Sequence, residues 1–516
     1  MKRELANFIA LLGLVLLGAA VVLGLLTGIL FIFPNTSIFG ARAVNERDTQ
    51  VIYHDADLVN AFANGKFILE STGTQVEVKM SSSGYEGQNT IVVNEAATGV
   101  AFNDLNRTLI EWTQTLYNDE LYYRIKVMEP SGMVFKQKPT TVYINLPYRN
   151  DDFRYNFVLQ NHYSNVNFSF VDRQVSNTNK FLINDLVVES AASVNFPYFE
   201  KSSINNVSIK GSHTKVICKS KVLNNVFVNG SNHVLDFGND SKSGIEGNLT
   251  IHGNNHRFKG TTAHDVQFDA QYGTLTMNQT IASLKVKTVS AAVNVVNVSG
   301  KVEMQTQSGK LKADSIGNGL EFTAGDASAP YATAALEVGR VTGTSVVKNY
   351  GTGQIRLKNV NGDVTVRSSE IGGKSINVDF LAGSGSHTVD ITGYDGDINV
   401  HGINGGNVKI DVKGRGLQAA KANINATFNQ VGNAEIYAGG YLSGHENWGG
   451  TVTARIANGC NPLNLYVYYA GAAHRNGSNI SVSDDENNSS AALTHISGSG
   501  SGTGTLKICA RRVEIK

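Results

Sequence analysis

From Val266 onwards an apolar residue, a polar residue and a second apolar residue recur as a triplet every nine positions. Seven triplets follow in succession, starting at Val266, Leu275, Leu284, Val293, Val302, Leu311 and Leu320. Their middle residues are Gln267, Thr276, Lys285, Asn294, Glu303, Lys312 and Glu321, all of them polar. In a strand alternate side chains share a face, so the outer two residues of each triplet point inwards and the middle one outwards. A helix needs apolar spacing of three and four, which this stretch lacks. Gly, Ser, Asn, Asp and Thr fill the intervals, and these are the residues of tight corners.

Short strands at so even a spacing cannot each bury a face alone. Stacked in successive coils they share a continuous core. The pattern therefore predicts an all-β chain built as an elongated β-solenoid. A stride of nine leaves open whether two or three strides make one turn. Two strides place Lys285 beside Glu303, whereas three place it beside Lys312, and like charges on adjacent strands repel. The expected turn is therefore the shorter one, about 18 to 22 residues. The beat is looser upstream, in VSI (207–209), VFV (226–228), LDF (235–237) and LTI (249–251), and irregular downstream, from IRL (355–357) to VKI (408–410).

The flanks differ in texture. Residues 61–200 hold longer alternating runs, among them KFILES (66–71), QVEVKM (75–80), YYRIKV (122–127) and TTVYINLP (140–147). They read as a β-rich region leading into the coils. Leu105, Leu109, Trp112 and Leu116 fall at helical spacing, but the threonines and aromatics of TLIEWTQ favour strands, and a hairpin is expected there. The coils are expected over 201–430. Residues 431–516, with TVTARI, LNLYVYY, a Gly/Ser-rich segment and the closing strand LKICARRVEIK, read as a C-terminal β cap.

Composition adds three constraints. Residues 5–33 carry no charge and follow Met-Lys-Arg-Glu. That is longer than the roughly 20 residues a membrane-spanning helix needs, and longer than the core of a cleavable signal. Residues 1–34 are therefore expected to be a single transmembrane anchor, with 35–60 as linker, the N-terminus cytoplasmic and the β domain extracellular. A formal net charge of +1 supplies no field for nucleic acid. Three cysteines, Cys218, Cys460 and Cys509, have no metal-ligand spacing, and only the last two are placed to pair.

The phrases NGDVTVRSSEIGG (361–373) and DGDINVHGINGGNVKIDV (395–412), after a β-region containing VYINLP, resemble the bacterial adhesin domain family with its G-D-V-x-V repeats. The resemblance covers roughly residues 60 to 420. It implies an envelope-associated, single-stranded β-solenoid without catalytic residues, and it brings no binding residues with it.

Candidate chemistry is sparse. His252 and His256 lie four apart with His233 and His264 nearby, but no carboxylate or thiol converges with them. They are expected at solvent-exposed corners. Asp363 and Asp397 follow glycines before strands, where corner geometry explains them without a metal or an acid pair. The acidic run Asp484, Asp485 and Glu486 reads as a solvated loop. The segment EIYAGGYLSGHENWGG (435–450) offers Tyr437, Tyr441, His445 and Trp448 as an aromatic platform of the kind that binds sugars, with YVYY (466–469) close behind.

These observations lead to a non-enzymatic, membrane-anchored surface protein. It acts as adhesin, stalk or binding surface, through a cell-surface glycan or another surface protein. No cofactor, metal or catalytic residue is expected. The alternative is a polysaccharide lyase or hydrolase built on the same coils.

Overall fold

The structure is a computed structural model. It describes residues 11–25, 42–52, 63–81, 90–101, 109–128, 141–147, 151–170, 180–238, 242–262, 264–326, 333–368, 375–414, 420–439, 449–460, 462–476, 478–479, 492–497 and 504–516. The chain is almost entirely β-strand and divides into two compact units, Met1–Lys221 and Val222–Lys516.

In the second unit the triplets form parallel ladders. Val266 lies beside Leu284, Leu284 beside Val302 and Val302 beside Leu320, each step being two strides of nine. The interleaved triplets form a second ladder, Leu275 to Val293 to Leu311. Lys285 therefore sits beside Glu303, the pairing that the shorter turn requires. In the strands on either side the sequence step between paired residues varies. It falls just short of two strides between Leu249 and Val266, and runs just over three between Ile424 and Val452. The outer residues of all seven triplets are buried, and none of the middle ones is. Each such Val, Leu, Ile or Phe stabilises the stack by roughly 1.5–3 kcal/mol relative to an exposed side chain.

A third, shorter ladder escapes the nine-residue pattern. Ile281, Val298, Ile316, Val341, Val360 and Phe380 follow one another on successive turns, all buried. A single apolar residue per turn closes this side, so no triplet announces it. Outside it, Asn297 Nδ2 donates to Thr280 Oγ1 at 3.4 Å and Ser315 Oγ to Asn297 Oδ1 at 2.6 Å.

The Gly-Asp corners are structural and reach further than their own turn. Asp363 Oδ1 accepts the Thr388 amide at 2.7 Å, and Asp397 Oδ1 accepts from Asn423 Nδ2 at 3.0 Å, both on the next turn. The C-terminal strand Thr505–Ile515 is not the outermost one, contrary to its expected place as terminal cap. It pairs on one side with Asn433–Ala438 and Thr451–Ile456, and on the other with Asn464–Arg475. The antiparallel strand Ala492–Ser497 follows on Asn464–Arg475 and ends the parallel order.

In the first unit the expected hairpin is present. Leu109–Tyr117 pairs antiparallel with Glu120–Met128 through Asn118 and Asp119, both at positive φ (49° and 64°), as a two-residue type I′ turn demands. Lys66–Thr72 and Gln75–Ser81 pair in parallel with the long strand Arg154–Phe170, which in turn pairs with Phe181–Phe196. Phe67, Tyr155, Phe157, Phe181 and Phe196 stack through the interior, all at most 1% exposed. Tyr117 Oη donates to Glu189 Oε1 at 2.7 Å, and Gln160 Nε2 donates to Oε2 at 2.7 Å. Burial, then Glu189, pushes the Tyr117 hydroxyl well above the usual tyrosine range.

Residues 11–25 are helical. Among the described residues no helix is long and apolar enough to cross a membrane; the remainder of the expected span, 5–10 and 26–33, lies outside them.

Candidate functional site

Alternation fixes which side chains reach the surface at the C-terminal end of the second unit. In Asn433–Ala438, Ala434, Ile436 and Ala438 are buried, so Glu435 and Tyr437 face outwards. The inserted strand Thr505–Ile515 presents Lys507 and Cys509 on the same side, because Leu506 and Ile508 fill the core. Asn464–Arg475 presents Tyr466 and Tyr468. Register then assembles two columns, Glu435–Lys507–Tyr466 and Tyr437–Cys509–Tyr468.

Tyr437 and Tyr468 are thus two rungs apart, roughly 9.6 Å at a strand spacing of about 4.8 Å. The Lys507 side chain leans between them, with Nζ 5.5 Å from the Tyr437 ring centre and 5.7 Å from that of Tyr468. Each cation–π contact contributes about 0.5–1 kcal/mol at a partly exposed site. The hydrogen bond to Tyr437 holds the Lys507 ammonium above its ordinary range, so it stays charged. Burial raises the Tyr437 hydroxyl, and its hydrogen bond to Glu435 adds to that while Lys507 opposes it. Cys509 points outwards by register yet is only 3% exposed, and burial pushes its thiol up to about 12. A buried thiol so protonated is a poor nucleophile.

Of the residues singled out from the sequence, Tyr437 belongs to this surface; Tyr441, His445 and Trp448 lie outside the described residues. The YVYY segment joins it through Tyr466 and Tyr468. Lys507 and Glu435 are not legible as partners in the sequence, because the strand that carries Lys507 enters out of sequence order. The alternation of LKICA is the one local sign that Lys507 faces out.

The histidines require a correction. His233 and His256 are fully buried, with rings stacked at 5.2 Å and 10°, and so do not occupy exposed corners. The neighbour of His233 on the next turn is His256, not His252. His256 Nε2 lies 3.0 Å from the His252 carbonyl oxygen, and burial holds its pKa below the ordinary histidine value. His252 itself is half-exposed, 3.9 Å from Asp269. All three cysteines are free thiols, so Cys460 and Cys509 do not pair. Among the described residues no group of three His, Cys, Asp or Glu is placed to hold a metal ion.

Among the described residues of the second unit, two carboxylates stand on consecutive rungs. Glu303 lies beside Glu321, and Lys301 bridges them at 2.9 and 2.8 Å. The Lys301 ammonium holds the Glu303 carboxyl below its usual range, whereas a general acid needs a raised one.

Comparison with protein-family models and with curated proteins found no match to this chain.

Proposed function

We propose that the chain is a non-enzymatic β-solenoid of the cell envelope, anchored in the membrane through residues 5–33 with its β domain outside, that binds glycans. Its C-terminal surface of Tyr437, Lys507 and Tyr468 carries the binding. The supporting observation is that two half-buried tyrosine rings, two rungs apart, flank a charged lysine carried by the strand between them. Aromatic faces stack on sugar rings, while the ammonium and Glu435 supply directed hydrogen bonds to hydroxyls. Parallel ladders that advance by two to three strides at each turn support the solenoid reading. The uncharged N-terminal stretch supports the anchor. The adhesin-domain resemblance agrees with both.

The test is Tyr437→Ala combined with Tyr468→Ala in the full chain in mild detergent. Polysaccharide retention is expected to disappear while the melting temperature stays within a few degrees of the parent. Loss of retention and of thermal stability together would instead make the rings part of the core.

A further inference from the structure

The outward side of four consecutive strands, Ile376–Phe380, Ile398–Asn404, Asn423–Gln430 and Thr451–Ile456, carries a run of amide side chains. One neighbouring outward column alternates charge, Asp390–Lys409–Glu435–Lys507. Here the central column is Asn377–Asn399–Asn425, with Thr453 on the fourth rung. Asn399 Nδ2 donates to Asn377 Oδ1 at 2.9 Å, and Asn425 Nδ2 donates to Asn399 Oδ1 at 2.8 Å. The flanking columns are also tied. Asn423 Nδ2 donates to Asp397 Oδ1 at 3.0 Å, and His401 Nδ1 lies 3.1 Å from Thr427 Oγ1. The side chains of the central column are partly exposed and short, while Arg455, beside Thr427, is long and exposed.

An asparagine amide has two N–H donors and an oxygen with two lone pairs. The ladder occupies one of each on Asn399, leaving a second donor and a second acceptor side by side at the surface. Side chains already fixed by rung-to-rung bonds lose little further entropy on binding. A donor beside an acceptor, repeated at the rung spacing of about 4.8 Å, is complementary to sugar hydroxyls, each of which both donates and accepts. The central column itself carries no charge; Asp379 and Arg455 stand at the two ends of the flanking column. We propose that this amide ladder is a second glycan site, taking a neutral polysaccharide chain laid along the rungs. The inference rests on the glycan-binding reading above, but on different residues.

The test uses the full chain in mild detergent, with a soluble mixed-linkage β-glucan and hyaluronan as probes. The variant Asn399→Lys with Asn425→Glu installs the alternating charges that the neighbouring column already carries. Its affinity for the β-glucan is expected to fall by about tenfold or more, the loss of one or two directed hydrogen bonds, with the melting temperature kept. If that variant melts lower, Asn399→Thr with Asn425→Thr, which copies the Thr451 and Thr453 rung, takes its place with the same expectation. Unchanged β-glucan affinity in a folded variant overturns the amide-ladder site and leaves the glycan-binding reading intact. Tighter binding of hyaluronan than of the β-glucan overturns its neutral specificity. Retention of neither probe nor of any other polysaccharide by the parent chain overturns both readings.

Discussion

Replacing Leu284 by alanine tests whether the nine-residue beat is the source of stability. Leu284 is 1% exposed and lies between Val266 and Val302 on the adjacent rungs. Those neighbours are held by their own backbone ladders and cannot collapse freely into the space, so the cost falls within the roughly 2–5 kcal/mol range for a buried leucine; we take about 3 kcal/mol. The strand Leu284–Thr288 pairs with the strands before and after it, so the loss is local and shows as easier opening of those strands. At about 1.4 kcal/mol per decade, amide exchange in Leu284–Thr288 and Val302–Thr306 should accelerate by roughly a hundredfold. The strand Asn407–Lys413, several turns away, should be little changed. Lys285→Ala, one residue on but facing solvent, is the control and should cost under about 1 kcal/mol. Hydrogen–deuterium exchange resolved by peptide reads all three regions. Equal effects from the two substitutions, or acceleration spread evenly along the unit, would refute alternation as the organising rule.

Three further outcomes follow from named contacts. At Gly253, φ is +122° and an added Cβ would meet the Gly230 carbonyl oxygen at 1.9 Å, so Gly253→Ala should destabilise by at least the roughly 1–3 kcal/mol of the backbone strain, read by urea unfolding. His256 is held neutral by burial, so its folded pKa lies below the unfolded value of about 6.5. Stability is then full above that value and lost as pH falls from it through the folded pKa. Replacing His233 and His256 together by phenylalanine, which copies the Phe237–Phe258 stack beside them, should flatten the fall in melting temperature as pH drops below about 6.5; an unchanged slope would refute the assignment. Cys460, partly exposed, should react first with a thiol reagent, while the buried Cys218 and Cys509 label only on denaturation, as mass spectrometry of the labelled peptides would show.

Where the sequence predicts the fold well, one physical rule does the work: alternation in a strand buries every second side chain. It places the two main ladders and the Lys285–Glu303 neighbours. It also places the hairpin around Asn118 and Asp119, since TLIEWTQ is rich in strand formers. The third ladder is silent because it contributes one apolar residue per turn, as at Ile281 and Val298, too few to form a pattern. The buried histidines defy the expectation because a polar residue at a corner is ordinarily solvated. Yet each follows an asparagine in the left-handed region, Asn232 and Asn255, and that repeated Asn-His pair is a signal of one shared inward turn. The binding surface is half legible. Tyr437 and the YVYY run are visible as aromatic clusters, but nothing local says that Lys507, on a strand far along the chain, inserts between them.

The measurement closest to the central claim follows polysaccharide retention and the appearance of new reducing or unsaturated ends in the same incubation. The full chain, in mild detergent, meets a panel of neutral and acidic polysaccharides. Retention without new ends is the predicted result, and retention lost on Tyr437→Ala with Tyr468→Ala would place it on the C-terminal surface. New ends would contradict the account and make the chain a glycan-cleaving enzyme, with the search moving to carboxylates on neighbouring rungs.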